Sequence, residues 1–193
     1  MTKPPQYGIS HQDKVRDGPR KLLPALQFLA VIIFPVFLVV ALQRISIKQP
    51  LQAGDRAPDL ILRDLSGRPV NLANLYRQRS AILFFSPDCS HCDAELRNVE
   101  RLRAACSDGI AFLLVTRGDR AKTRSLLDSL GVGSPTAVDA EGVANEAFGV
   151  FTAPAWFLID SHGIVRAGLF GERPLDKRKE QLESFLRATA EGL

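Results

Sequence analysis

The apolar positions of this chain change period several times, and each change marks an element. Ser80–Ser86 (SAILFFS) and Ile110–Thr116 (IAFLLVT) are continuous apolar runs of strand length, as expected for strands buried on both faces. Between them, Leu96, Val99, Leu102 and Cys106 recur at spacings of three and four, which predicts a helix from Ser90 to about Ala105. RAKTRSLLDSLG is a second helix ending at Gly131. TAVD is a short strand and VANEAFGV a helical turn. AWFLID (155–160) and IVRAGLF (164–170) are strands joined by a Ser161-His162-Gly163 turn. PLDKRKEQLESFLRATAEG closes the chain as an amphipathic helix with Leu182, Phe185 and Leu186 on its apolar face. Upstream, Ser66-Gly67 centres a β-hairpin of about Leu60–Arg63 and Arg68–Val70, followed by a short turn of helix. The order predicts an α/β sandwich whose first buried strands are parallel and whose last two are antiparallel.

The longest apolar run lies earlier. Leu22–Gln43 (LLPALQFLAVIIFPVFLVVALQ) contains no charged residue. As a helix it spans roughly 33 Å at about 1.5 Å per residue, close to the ~30 Å hydrocarbon core. Pro35 falls inside it, which a membrane helix tolerates better than a soluble one. A cleaved signal peptide is the rival reading. The run is too long for one, however, and VALQRIS offers Leu42 and Gln43 where a cleavage site wants small residues. Lys3, Lys14, Arg16, Arg20 and Lys21 precede the run and only Arg44 and Lys48 follow closely, so the N-terminus is expected inside. The expected layout is a disordered cytoplasmic tail over 1–21, a transmembrane helix over 22–43, a linker over 44–53 and a folded extracytoplasmic domain over 54–193. The expectation is a single-pass cell-membrane protein with its domain in the periplasm or its equivalent.

Composition narrows the function by exclusion. Three cysteines in 193 residues are too few for a disulfide scaffold. The net charge of +4 comes from scattered Lys and Arg interleaved with acids, so nucleic acid is not an expected partner. The sequence contains no internal repeat or low-complexity tract.

The chemistry centres on FFSPDCSHCDAEL, residues 84–96. Cys89 and Cys92 fall where a buried strand ends and a helix begins. A thiolate, not a thiol, attacks disulfides, and lowering a cysteine pKa by two units takes about 2.7 kcal/mol of anion stabilisation. Unpaired N–H donors and the positive dipole end of a helix N-terminus supply part of it. Cys89, just before the helix, is expected to be the exposed attacking thiol. Cys92, within the first turn, is expected to resolve the mixed disulfide. A structural zinc site would need four ligands, and only Cys106 and three histidines remain. Cys106 falls on the apolar helix face and reads as a small core residue. Pro154, immediately before AWFLID, is placed to present a cis peptide bond and a free backbone edge. No cofactor or metal is expected.

From Gly54 to Ala190 the chain resembles membrane-anchored thioredoxin-like proteins of the TlpA/ResA kind. The resemblance rests on GDRAPDLILRDLSGRPVNLANL, ILFFSPDCSHCDAEL and VDAEGVANEAFGVFTAPAWFLIDSHGIVRAG in that order. It implies a thioredoxin-like fold with an added N-terminal β-hairpin, preceded by one transmembrane helix. It also implies thiol–disulfide exchange outside the cytoplasm. The implied clients carry cysteines, as in cytochrome c maturation or metal-site proteins, and a membrane electron-transfer partner recycles the dithiol. By position, Cys89 matches the attacking cysteine, Cys92 the resolving one and Pro154 the facing cis-proline. Glu95 matches a glutamate with an acid/base role toward the resolving thiol. Three positions depart from common thioredoxin patterns: Leu83 replaces a buried acid, Asp88 a tryptophan, and Ala153 a larger residue before the proline. SPDCSHC and GLFGERPLDKRKEQLESFLRA also resemble the MauD branch, whose members assist disulfide formation in the methylamine dehydrogenase small subunit.

For the direction of electron flow the sequence carries terms of opposite sign. His91, by stabilising the thiolate, makes the pair more oxidising; Asp88, Asp93 and Glu95 raise thiol pKa values and favour a reductant. Two other activities fit parts of the pattern. A thiol peroxidase shares the GDRAPDLIL opening, but Ile82 stands where its proline belongs. A copper-delivery protein of this fold spaces its cysteines by three residues and adds a distant histidine.

Overall fold

A computed structural model describes residues 33–35, 37, 49–106 and 109–190. The chain divides into two units, Met1–Ile47 and Lys48–Leu193. In the first, residues 33–35 and 37 are helical, and Ile33, Phe34 and Phe37 are exposed. The expected tail over 1–21 and most of the expected membrane helix over 22–43 lie outside the described residues. No helix among the described residues is long and apolar enough to cross a membrane.

The second unit runs β1 (Ile61–Asp64), β2 (Pro69–Asn71), α1 (Leu72–Leu75), β3 (Ser80–Phe85), α2 (Ser90–Ala105), β4 (Ala111–Thr116), α3 (Arg120–Leu130) and β5 (Thr136–Val138). It continues with α4 (Val143–Phe148), β6 (Ala155–Ile159), β7 (Val165–Phe170) and α5 (Leu175–Ala190). The seven strands form one sheet in the order β2-β1-β5-β4-β3-β6-β7. Strands β3, β4 and β5 are parallel, and β6 and β7 are antiparallel, as expected.

Strand period two explains the two cores. On β3, Ala81, Leu83 and Phe85 face one cluster with Leu96, Val99, Leu102, Leu127, Leu182 and Phe185, which belong to α2, α3 and α5. Ile82 and Phe84 face the other, with Leu62, Leu72, Ala144 and Phe148. In that second core Phe84, Phe148 and Phe157 sit with ring centroids 5.0–5.8 Å apart in tilted or edge-to-face pairs, a spacing that aromatic quadrupoles favour. β3 is therefore covered on both sides along its whole length.

The hairpin forms, but one residue later than the sequence suggests. The Asp64 carboxylate accepts from the Ser66 and Arg68 backbone N–H groups, which closes the turn at Asp64 and pairs Arg63 with Pro69. This local side-chain turn is stronger than the apolar count that set the earlier boundary. β1 then pairs antiparallel with β5, so the hairpin extends the main sheet.

Gly149 caps α4 in the left-handed region (φ +67°), and a Cβ there would lie 2.5 Å from the Gln49 carbonyl oxygen and 2.7 Å from Pro50 Cα. Gly131 caps α3 at φ +66° with open space around it. Gly131→Ala should cost about 1–2 kcal/mol for the left-handed backbone alone. Gly149→Ala should cost clearly more, because backbone 49–50 has to move as well; urea unfolding midpoints of the two variants test the ranking.

Candidate active site

The dithiol sits where β3 runs out. After Phe85 the chain turns through Ser86-Pro87-Asp88 to Cys89, the N-cap of α2, with extended backbone (φ −105°, ψ 108°). The Cys89 N–H donates to the Ser86 carbonyl at 3.2 Å and the Cys92 N–H to the Cys89 carbonyl at 3.0 Å. Cys89 is half-exposed and Cys92 fully buried; both are free thiols. The turn is packed from behind by Gly118, where any Cβ would run into the Pro87 ring.

Across from Cys89 lies the loop before β6. The Ala153–Pro154 peptide is cis, as the position of Pro154 suggested. The Cys89 thiol donates to the Ala153 carbonyl at 3.5 Å, within sulfur hydrogen-bond range. The Pro154 carbonyl is occupied by the Gly171 N–H at 2.9 Å. A half-exposed sulfur thus sits at a helix start beside the carbonyl that precedes the proline.

Cys92 belongs to the first core, with Leu83, Leu96 and Trp156. Burial is the largest cause pushing its thiol up to about 12; the hydrogen bond with Cys89 and the Asp93 charge add to it. The position where many related folds carry a strand acid is Leu83, fully buried in the same cluster. Cys106 also packs in this core, at the far end of α2, and burial raises its thiol too. About 21 Å of helix separates it from Cys92 at 1.5 Å per residue, so it cannot join the pair.

The charged residues near the motif do not act as one group. Asp88 pairs with Lys122 at 3.2 Å on the surface. The His91 ring is largely exposed, with Nδ1 3.2 Å from the Glu172 carboxylate. Glu95 lies in the second turn of α2, on its inner face. It is fully buried and accepts four hydrogen bonds: from Arg178 Nη2 at 2.7 Å, Arg178 Nε at 3.2 Å, Trp156 Nε1 at 2.8 Å and the Arg173 N–H at 2.8 Å. The structure therefore brings Cys89, Cys92, Pro154, His91 and Glu95 to one end of the sheet, each with a different degree of access.

Arg178, Glu172 and Lys122 are not legible as site residues from the motif. Only Arg178 leaves a trace in the sequence: it falls four residues before Leu182 and seven before Phe185, a charge on the apolar stripe of α5. A cavity of about 690 Å³ between β7 and α5, lined by Asp160, His162, Arg166, Gln181 and Phe185, includes neither cysteine of the motif. Among the described residues there is no group of three or more His, Cys, Asp and Glu placed to hold a metal ion.

A parallel-centred sheet, a cysteine pair at a strand-to-helix junction and a facing cis-proline define a thioredoxin-like redox domain. Residues 53–168 match the AhpC/TSA family, and the chain belongs to it. The chain is similar to the methylamine utilization protein MauD of Paracoccus denitrificans, 33% identical over 142 residues, which cover 72% of this chain and 66% of MauD. It thus spans just under two thirds of that protein's length. It is 29% identical over 141 residues to the thiol-disulfide oxidoreductase ResA of Geobacillus thermodenitrificans, covering 72% of this chain and 80% of ResA. Among solved structures, a protein assigned as the thiol:disulfide interchange protein DsbE of Chlorobium tepidum superposes with a TM-score of 0.65 at 27% identity. That match covers 72% of this chain and 98% of the other.

The raised Cys92 thiol has a consequence for pH. Below its ordinary 9.0 both folded and unfolded chains hold the proton; between 9.0 and about 12 the unfolded chain releases it and the folded one keeps it. Stability of the reduced protein should therefore fall across that window. Denaturant midpoints from pH 8 to 10.5 should drop less steeply in Cys92→Ala than in the parent protein.

Proposed function

We propose that this chain is a membrane-anchored thiol–disulfide oxidoreductase acting through Cys89 and Cys92 on protein cysteines outside the cytoplasm. The observation that carries the reading is the contrast between the two sulfurs: Cys89 half-exposed at a helix start facing Ala153-Pro154, and Cys92 buried directly behind it. Family membership and the ResA and DsbE relatives support the reaction class. The uncharged Leu22–Gln43 segment and the basic residues before it support the anchor and its orientation.

In the reducing direction, the Cys89 thiolate attacks one sulfur of a client disulfide. The client S–S bond breaks and its other sulfur leaves as a thiolate that takes up a proton. Cys92 then loses its proton and attacks Cys89 Sγ. The bond between Cys89 and the client breaks, the second client thiol is released, and Cys89–Cys92 holds the disulfide. Two electrons have moved to the client, and a membrane electron-transfer partner has to return them. Pro154 shapes the loop against which the client chain lies, and helix α2 provides the N–H groups that favour a thiolate at Cys89.

We assign the reducing direction to this chain. Asp88 and Glu95 are balanced by Lys122 and Arg178, Asp93 opposes a thiolate at Cys92, and the Glu172 carboxylate draws on His91 from outside. Burial of Cys92 and the Asp93 charge remain, and both oppose the stable thiolates that a strong oxidant needs. The reduction potential of Cys89–Cys92 should lie below about −200 mV; a value near −120 mV would reverse the assignment.

Cys89→Ser should abolish insulin-disulfide reduction, and Cys92→Ser should accumulate mixed disulfides with client proteins; retained turnover in the first variant would sink the dithiol reading. Hydrogen peroxide consumption and stoichiometric copper binding should both be negligible, whereas either one at high activity would favour the peroxidase or the copper-delivery alternative. A reporter joined after Leu193 should be active only outside the cytoplasm.

A further inference from the structure

Residues 171–178 hold the motif helix from a distance. The Gly171 N–H binds the Pro154 carbonyl, Glu172 meets His91, the Arg173 N–H binds Glu95, and Arg178 crosses to Glu95 with two nitrogens. Arg178 also donates to the Gly171 carbonyl at 2.9 Å and to Gln181 at 3.0 Å, and its guanidinium carbon lies 5.7 Å from the Trp156 ring centroid. The Arg178 and Glu95 side chains are 1% and 0% exposed.

An ionised carboxylate offers about four lone-pair sites, and Glu95 accepts four hydrogen bonds. Guanidinium, indole N–H and backbone N–H are donors only, and guanidinium does not give up its proton in proteins. A proton arriving at Glu95 would have to displace one of them and would point at another donor. Remove Arg178, and a buried carboxylate without its counter-charge is neutralised by taking up a proton.

We infer that Arg178 is a positioning residue of the dithiol site: it occupies the Glu95 carboxylate so that Glu95 stays a fixed anion one helical turn from Cys92 and does not exchange protons with it. The inference rests on the dithiol reading above and changes one part of it. The acid/base role that the resemblance gives Glu95 is closed while the pair is intact, and the Cys92 proton goes to solvent base or to the departing thiolate. The ionisable groups facing Cys92 are then Cys89 and Asp93, with His91 and Glu172 outside and the Glu95–Arg178 pair within.

The test uses the full chain in detergent with glutathione attached to Cys89. Cys92 loses its proton and attacks Cys89 Sγ, the bond to glutathione breaks, and glutathione leaves as a thiolate that is protonated. Its release is followed from pH 5 to 8.5. The parent protein should release glutathione about tenfold faster per pH unit without inflection, because only the thiolate fraction changes. Arg178→Met should add an inflection in that range and raise the rate at its acid end. The double variant Arg178→Met/Glu95→Gln should lose the inflection again, and Arg178→Lys should restore much of the parent profile. Trp156, the only tryptophan in the chain, gives a second readout through its bond to Glu95. Its emission should be flat with pH in the parent and titrate in Arg178→Met. An inflection in the parent that Glu95→Gln removes would overturn the inference, a measurement that stands even if Arg178→Met fails to fold. A folded Arg178→Met with the parent profile and flat emission would overturn it too. Failure of the dithiol reading looks different: glutathione release would then be unchanged in Cys92→Ala.

Discussion

A strand buried on both faces leaves little room for polar side chains before it ends. After a buried Ser80 at its start, β3 is apolar for five consecutive residues, Ala81–Phe85, alternating between two cores, and the chain becomes polar again at Ser86. The first residues free of the constraint are the motif. Cys89 therefore has solvent on one side and the first turn of α2 on the other, while Cys92, three residues on, is drawn back into the core that β3 left. Exposure of one sulfur and burial of the other follow from the same geometry, so the pair needs no separate device to divide its roles.

The second ordering element comes from the far end of the chain. The loop between β7 and α5 touches the cis-proline loop through Gly171, the motif through Glu172 and the interior of α2 through Arg173, and α5 adds Arg178. A buried ion pair of this kind contributes little net stability compared with apolar packing, but removing one partner typically costs about 3–5 kcal/mol. It acts as a register pin. α5 can dock on α2 in only one way that satisfies Glu95, and that docking also fixes where Gly171 meets Pro154.

Much of this was legible beforehand, because strand and helix periods are local. The apolar runs of β3 and β4, the Leu96–Val99–Leu102 stripe, the Gly131 stop and the turn at Ser161–Gly163 all depend on neighbours within a few residues. Local period says nothing about partners that lie far apart along the chain. Asp88, Asp93 and Glu95 look alike in sequence, yet one is paired on the surface, one is the charge left to act on Cys92, and one is sealed inside with Arg178, 83 positions away. His91 finds Glu172 across 81 positions. Charge signs can be counted along a chain; which charges are already matched depends on tertiary contacts.

The hairpin at the start of the domain has an effect on the whole sheet. Without it, β5 would be an outer strand with open backbone groups, and open edges invite another chain to add on. β1 covers β5, and the new border strand β2 has three residues and begins with Pro69, which lacks an N–H to offer. The appended strands move the sheet's border from a register that a neighbouring molecule could extend to one too short, and too poor in donors, to be copied.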